Sequence, residues 1–197
     1  DKTIFEETQF VPKKLYKFIN MKSVLVGGTT IAWKIDKELI QGNTPSIKDF
    51  YYKNGIEDYF KLEYSNKNKL FDKDFSLKNN LNQSESIEIY ISFNKNETSS
   101  LKSYCNTIET PDGGSHEVGV KNGLIKAIKL YGQKNQISKI NNINQNDLMD
   151  FADVIISIFI NEPSFEGQTK KRIIMPAFQK EMESKIQQEF LLWLNSN

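Results

Sequence analysis

The sequence predicts an α+β fold, a mixed sheet covered by helices on one face. Residues 87–93 alternate apolar and polar side chains as a half-buried strand does, whereas residues 154–160 form the continuous apolar run of a central, covered strand. A third observation is a helical stripe near the C-terminus, spaced four residues apart: Phe178, Met182, Ile186 and Phe190. Strands and helices that follow one another without strict alternation indicate the α+β class.

The first 64 residues carry the patterns of a helix, two strands and a second helix. Pro12 suits the first turn of the first helix, and the pair Gly27-Gly28 stops it and is the candidate domain boundary. These four elements are predicted at residues 13–26, 30–35, 47–52 and 55–64.

The remainder of the chain begins with a weak strand pattern within residues 65–86. Strands at 87–93 and 101–108 follow, and we expect the polar residues 94–100 to join them as a turn. A helix is predicted at 115–131, because four apolar residues fall on one of its faces: Val120, Leu124, Ile128 and Tyr131. A helical turn at 146–151, the strand at 154–160 and a last helix from Pro176 complete the prediction.

Composition excludes several classes of function. The 197 residues contain 26 Lys+Arg and 25 Asp+Glu, so the net charge of +1 provides no general polycation and any contact with DNA must be local. The single cysteine, Cys105, excludes an intrachain disulfide or a cysteine metal cage and favours a buried, reduced role. With no apolar run of about 20 residues and no signal sequence, we expect a cytoplasmic protein without a membrane partner.

Polar side chains follow the strand at 154–160. After the breaker Pro163, the loop presents Gln168, Thr169 and Lys170, which supply amide, hydroxyl and ammonium donors. Such a group suits an anion, above all a terminal phosphoryl group. The alternative is a solvated surface loop with no ligand.

Three motifs in a fixed order carry a family resemblance. They are residues 106–108 (N-T-I), residues 112–119 (D-G-G-S-H-E-V-G) and residues 162–170 (E-P-S-F-E-G-Q-T-K). The order resembles the transducer domain of the ATPase subunit of bacterial type IIA topoisomerases, whose patterns are N-T-I, D-G-G-T-H-E-x-G and D-P-x-F-x-G-Q-T-K. Glu162 and Ser115 depart from the pattern but keep its polarity. Residues 103–108 and 191–197 look more like the topoisomerase IV B subunit than gyrase B.

The resemblance implies a domain organisation and a role. Residues 1–28 would be the C-terminal edge of a GHKL ATP-binding domain, and residues 29–197 a transducer with the ribosomal protein S5 domain 2-like fold, including a left-handed βαβ crossover. The transducer would couple ATP binding and hydrolysis to DNA strand passage. Gyrase B and a non-catalytic interaction domain are the alternatives.

The resemblance also implies site residues and partners. Lys170 would be the catalytic residue that contacts the γ-phosphate of ATP, with Gln168 as a second donor and Thr169 shaping the loop. Lys121 would contact DNA, or else be a solvated helix lysine. The full-length protein would use ATP and Mg²⁺, and would act with DNA, the A subunit of topoisomerase IV and a second copy of itself as an ATP-gated homodimer. The chain begins without methionine at a candidate strand end, Ile4-Phe5, so we expect a fragment that is inactive alone.

Other candidate chemistry is weaker. Gly114 and Gly119 have the spacing of a P-loop, but Val120 stands where that motif requires lysine. We expect a tight turn at residues 112–115, with Ser115 as the helix N-cap. The one histidine, His116, cannot form a zinc site alone, and we expect a structural, hydrogen-bonded role and no metal site.

Overall fold

A computed structural model describes residues 3–4, 10–40, 42–64, 68–95 and 99–197. The strand end predicted at Ile4-Phe5 and the connections predicted within 65–86 and 94–100 lie partly outside the described residues. The chain forms two compact units, Asp1–Glu63 and Tyr64–Asn197. This division concerns compactness alone, and the domain boundary after residue 28 stays a prediction.

The first unit contains the four elements expected from the sequence. They are α1 (Pro12–Leu25), β1 (Ile31–Lys34), β2 (Ile47–Phe50) and α2 (Ile56–Tyr64), which ends on the first residue of the second unit. Pro12 occupies the first turn of α1, where the missing N–H has no intrahelical partner to lose. β1 and β2 pair antiparallel, and a short 3₁₀ turn at Lys37–Leu39 lies in their connection.

The second unit is built on a five-stranded mixed sheet. Its strands are β3 (Phe75–Asn80), β4 (Ser86–Phe93), β5 (Ser100–Cys105), β6 (Ile108–Glu109) and β7 (Ala152–Phe159), in the spatial order β3-β4-β7-β5-β6. β7 pairs antiparallel with β4 and parallel with β5. The central position predicted for this apolar strand is confirmed.

The strands predicted on either side of residues 94–100 do not pair with each other, so the hairpin that a joining turn implies is wrong. β7 lies between β4 and β5, because a strand that is apolar on both faces is stabilised most where both faces are covered. β4 is also not half-buried, since Tyr90 and Ser92 on its polar face are covered too. The strand predicted at 101–108 is divided by Asn106 and Thr107, whose φ angles of +49° and +64° turn the chain from β5 into β6.

Within the described residues, the second unit also contains three α-helices, α3 (Ser115–Lys134), α4 (Gln145–Met149) and α5 (Pro176–Leu194), and a 3₁₀ helix at Ser138–Asn142. A Cβ at Gly119 would lie 2.7 Å from the Gln179 carbonyl oxygen, and one at Gly123 would lie 2.7 Å from the Ile186 Cβ, so α3 and α5 pack backbone to backbone. The stripe predicted on α5 is entirely buried. Alternate side chains of β4 and β7 share one core with both helices, including Ile89, Ile156 and Leu124.

Within the described part of the chain, no helix is long and apolar enough to cross a membrane. The same residues hold no group of three or more His, Cys, Asp or Glu side chains placed to bind a metal ion.

Candidate functional site

The loop that follows β7 is closed at its base by backbone hydrogen bonds. The Ile174 N–H donates to the Ser164 carbonyl, and the Glu166 N–H donates to the Arg172 carbonyl, each at 2.9 Å. Between these bonds, Phe165 and Ile173 form an antiparallel bridge, and Ile173 is buried. Residues 166–172, named here the QTK loop, therefore project from a fixed base.

The tip of the QTK loop presents its polar side chains to solvent. Gln168, Thr169 and Lys170 are all exposed. Among the described residues, no hydrogen bond or ion pair engages these three side chains, and the Lys170 Nζ lies 5.9 Å from the centroid of the Phe165 ring. The predicted donors thus lie side by side, and no acceptor in the described part of the chain competes with an incoming anion.

Lys170 has a backbone conformation that favours glycine. Its φ is +55°, in the left-handed region, where a residue with a Cβ costs about 1 to 2 kcal/mol. Gly167 has a φ of +75° at the start of the same turn. Strain of this kind clusters at ligand-binding sites, so its position at the predicted phosphate-binding lysine is consistent with function.

The second predicted motif, residues 112–115, lies beside the QTK loop. The Ile173 N–H donates to the Gly113 carbonyl at 3.1 Å, and the Ser115 N–H donates to the Ile173 carbonyl at 3.0 Å. The Asp112 N–H also donates to the Lys171 carbonyl at 3.1 Å. These three bonds, named here the backbone ladder, join motifs that are more than fifty residues apart in sequence.

Gly114 makes the ladder possible, and it corrects one prediction. Gly114, not Ser115, is the N-cap of α3; its φ is +133°, and a Cβ there would collide with the Ile173 backbone. Ser115 is instead the first helical residue, and its Oγ accepts the Met175 N–H at 2.8 Å. The glycine is required for close approach of two backbones, a requirement that the sequence pattern of a cap does not reveal.

A buried polar network lies behind the turn of residues 112–114. His116 Nε2 is 3.1 Å from Thr110 Oγ1, which is 2.6 Å from Ser103 Oγ, and Ser103 donates to Glu117 Oε1 at 2.6 Å. His116 is fully buried, and burial lowers its pKa to about 4, with a smaller contribution from the nearby charge of Lys121. The structural, hydrogen-bonded role predicted for His116 is confirmed.

Lys121 forms an ion pair with Glu117. Its Nζ lies 3.5 Å from Glu117 Oε2, one helical turn away. The Lys121 side chain is 31% exposed and that of Glu117 only 13%, so Lys121 is not a simply solvated lysine. Its predicted contact with DNA stays a prediction.

The two basic residues after Lys170 differ in their surroundings. Lys171 is exposed, and Arg172 pairs locally with Glu166, its Nε 3.6 Å from Oε2. Cys105 is buried, and burial raises the pKa of its thiol to about 11, which leaves it protonated and unreactive at neutral pH.

Glu117 has contacts that its sequence position only partly reveals. Its i,i+4 spacing to Lys121 signals an ion pair. Its hydrogen bond to Ser103 and its contact with the turn at Gly113 depend on tertiary placement, for which the sequence holds no local signal.

Comparison with known proteins identifies the family. The family model described as DNA gyrase B matches residues 55–197. The DNA topoisomerase 4 B subunit of Rickettsia felis is 34% identical over 200 residues, and that of Bartonella bacilliformis is 35% identical over 198 residues. The alignments cover 100% and 98% of this chain, which spans about 30% of the length of these relatives.

Solved structures agree in fold. The topoisomerase IV ATP-binding domain of Francisella tularensis matches all of this chain and 52% of its own, with a TM-score of 0.79 and 25% identity. The gyrase B subunit of Myxococcus xanthus matches all of this chain and 60% of its own with a TM-score of 0.80, and at 17% identity it supports the fold alone. The expected resemblance to type IIA topoisomerase B subunits is confirmed, and the chain belongs to the DNA gyrase B family.

Proposed function

We propose that the chain is the transducer region of a topoisomerase IV B subunit, which couples ATP binding and hydrolysis to DNA strand passage. Residues 29–197 would form the transducer, with the S5 domain 2-like fold and a left-handed crossover from β5 through α3 to β7. Residues 1–28 would be the edge of the GHKL domain. The topoisomerase 4 relatives at 34% and 35% identity support this choice.

The QTK loop carries the proposal. Its exposed Lys170, without an ion pair in the described part of the chain, would bind the γ-phosphate of ATP held in the neighbouring ATP-binding domain, and Gln168 would donate a second bond. A charge-assisted bond to phosphate is strong in a site that excludes water and is lost when phosphate leaves. Because the base of the loop is tied to the backbone ladder, the loop would transmit that loss to α3.

The donor set fits ATP phosphate and does not fit a metal ion. Proteins hold Mg²⁺ mainly through carboxylates together with substrate phosphates, whereas the tip offers an amide, a hydroxyl and an ammonium that repels a cation. Mg²⁺ would therefore be held outside this chain, where it would neutralise phosphate charge during hydrolysis. The proposed partners of the full-length protein are DNA, the A subunit of topoisomerase IV and a second copy of the protein itself.

Gyrase B is the second candidate. The family model bears that description, and the gyrase B subunit of Archaeoglobus fulgidus is 26% identical over 197 residues. The higher identity of the topoisomerase 4 relatives favours the first candidate. The family match over residues 55–197 argues against an unrelated, non-catalytic interaction domain.

The test is Lys170→Ala in the full-length protein, with Lys171→Ala as the matched control. We expect ATP turnover to fall by at least about 100-fold for Lys170→Ala, because one preorganised charged donor to a transition-state phosphate is worth about 3 kcal/mol. Lys171→Ala should stay within about twofold of wild type. Equal losses in both variants would indicate a general basic patch and contradict the proposal.

The isolated chain should bind ATP weakly. Lys170 and Gln168 are only the outer donors of the proposed site, and a charged hydrogen bond adds about 1.5 to 3 kcal/mol, too little to offset the entropy lost by a bound nucleotide. We therefore expect calorimetry to show no micromolar affinity of the isolated chain for ATP, and such an affinity would contradict the assignment.

Contact with DNA is tested at Lys121. Lys121→Glu should lower the ratio of DNA-stimulated to basal ATP turnover, most clearly at low salt, because the reversed charge repels phosphate. A ratio equal to that of wild type at low salt would contradict the contact.

A further inference from the structure

We propose that Glu117 is a positioning residue that couples the state of Lys121 to the QTK loop. The inference rests on the proposed function, in which Lys121 meets DNA and Lys170 meets the γ-phosphate, and it adds the residue that would connect these two events.

One carboxylate touches three parts of the second unit. Glu117 Oε1 accepts the Ser103 hydroxyl of β5 at 2.6 Å, and Oε2 pairs with Lys121 on α3 at 3.5 Å. On its third side the carboxylate fills the space beside the turn that a side chain at residue 113 would need, since a Cβ at Gly113 would lie 2.7 Å from Oε2. With its side chain 13% exposed, Glu117 has little room to take another position.

The turn that Glu117 touches is itself tied to the QTK loop. Gly113 accepts the Ile173 N–H, and Asp112 donates to the Lys171 carbonyl, the residue next to Lys170. A shift of this turn must therefore stretch the backbone ladder or move the C-terminal end of the loop. The path from the Glu117 carboxylate to the Lys170 backbone contains no flexible side chain.

Lys121 is the mobile member of the ion pair. It is the more exposed partner, and its four-carbon stem lets the ammonium leave Glu117 for an incoming phosphate. DNA and Glu117 are therefore competitors for the same ammonium. When DNA binds the Lys121 ammonium, the largely buried Glu117 carboxylate loses its counterion. An unpaired negative charge then lies beside the turn and the backbone ladder.

The experiment is a double-mutant cycle in the full-length protein, reconstituted with its partner A subunit and duplex DNA. Glu117→Gln keeps the size and the oxygen that accepts from Ser103 but removes the charge. We expect Glu117→Gln to lower the DNA concentration for half-maximal stimulation about threefold or more, because Lys121 is no longer neutralised. We also expect Glu117→Gln to reduce the maximal stimulation of ATP turnover, because residue 117 then has no charge that responds when Lys121 moves to DNA.

The cycle separates the effect of the ion pair between Glu117 and Lys121 from the general effect of a negative charge on DNA binding. In a Lys121→Met background, Glu117→Gln should change neither quantity, whereas Lys121→Arg, which keeps the charge, should retain stimulation by DNA. An equal effect of Glu117→Gln in both backgrounds would mean simple charge repulsion of DNA and would overturn the inference. Unchanged maximal stimulation in Glu117→Gln would overturn the coupling as well.

Hydrogen exchange supplies a readout that does not depend on turnover. DNA should change the exchange of the Asp112 and Ile173 amides in wild type, and this change should disappear in Glu117→Gln and in Lys121→Met. If Glu117→Gln fails to fold, Lys121→Met provides the same test, because this variant keeps the hydrogen bond between Ser103 and Glu117. A change in amide exchange on addition of DNA that persists in Lys121→Met would contradict the inference. Failure of this inference can be distinguished from failure of the proposed function, because only the latter would leave the ATP turnover of Lys170→Ala unchanged.

Discussion

The interface of α3 with α5 and the QTK loop each depend on a glycine, for opposite reasons. At Gly123 a Cβ would lie 2.7 Å from the Glu183 carbonyl oxygen and from the Ile186 Cβ, so no side chain fits. At Gly167 nothing lies within 4 Å of such a Cβ, and the φ of +75° alone favours glycine. The first glycine serves packing and the second serves the shape of an exposed turn, and the sequence does not distinguish them.

Polar groups differ between the two regions in the same way. Behind the turn of residues 112–114, the hydroxyls of Ser103 and Thr110 are engaged by protein partners. At the tip of the QTK loop, the donors of Gln168 and Lys170 are solvated instead. Groups that are already paired stabilise the fold, while solvated donors on a fixed base are available to a ligand at little reorganisation cost. We therefore expect the first region to contribute mainly to stability and the QTK loop to the proposed binding of phosphate.

The largest effect on stability is expected in the central strand. Ile156 of β7 is fully buried in the core, and Ile156→Ala should lower the free energy of unfolding by about 2 to 5 kcal/mol, through lost burial and the remaining cavity. Leu192→Ala is the control, because Leu192 is 63% exposed on α5 and should change stability by less than about 1 kcal/mol. Denaturant unfolding of both variants tests this, and similar losses would contradict the described core.

His116 should make stability depend on pH. Its pKa is lowered to about 4 in the folded chain against 6.5 as the ordinary value, so the unfolded chain binds the proton more readily between these values. Stability contributed by the neutral imidazole is present above pH 6.5 and is lost as pH falls toward 4. From pH 7 to pH 5 the loss should be about 2 kcal/mol.

The control for this pH dependence is His116→Gln. Because His116 is the only histidine, the variant should remove the part of the pH dependence that falls between pH 7 and pH 5, when unfolding is measured at both values. An unchanged dependence in the variant would show that carboxylates, not His116, are responsible.

The sequence predicts features that are set within one helix, strand or loop, and it does not predict features that depend on contacts between distant segments. Periodicity predicted α5 and its buried stripe, because that pattern is set by the helix itself. It failed for the partner of β4, because strand order depends on which neighbour buries more apolar surface, and β7 arrives about sixty residues later. At the site, the donors of the QTK loop followed from residue types and a family resemblance.

The rest of the site depends on tertiary contacts. The contact of Gly114 with Ile173 and that of Glu117 with Ser103 join segments whose approach no spacing reveals. Gly114 illustrates the difficulty, since a glycine before a helix suggests a turn or an anion site as readily as a close backbone crossing.

A smaller effect is expected from Gly123→Ala on α3. Alanine is the better helix former by about 1 kcal/mol, but its methyl group must displace the α5 backbone, which costs about 1 to 3 kcal/mol. We expect a net loss of up to about 2 kcal/mol in the free energy of unfolding. Stabilisation by Gly123→Ala would show that the two helices are not packed this closely.

The same substitution in the QTK loop should have the smallest effect on stability. Gly167→Ala places a methyl group in open space, so the only cost is the left-handed backbone, about 1 kcal/mol or less once the exposed loop relaxes. In the full-length protein, however, it should reduce ATP turnover, because relaxation of Gly167 displaces Gln168 and Lys170 from a shape that the fixed base otherwise maintains. Gly123→Ala should show the reverse pattern, with lower stability and turnover within about threefold of wild type at temperatures where the variant remains folded. The test is to measure the free energy of unfolding and ATP turnover for both variants. If the loss of stability relative to the loss of turnover were the same in Gly123→Ala and Gly167→Ala, the two glycines would not have separate roles in packing and in loop shape.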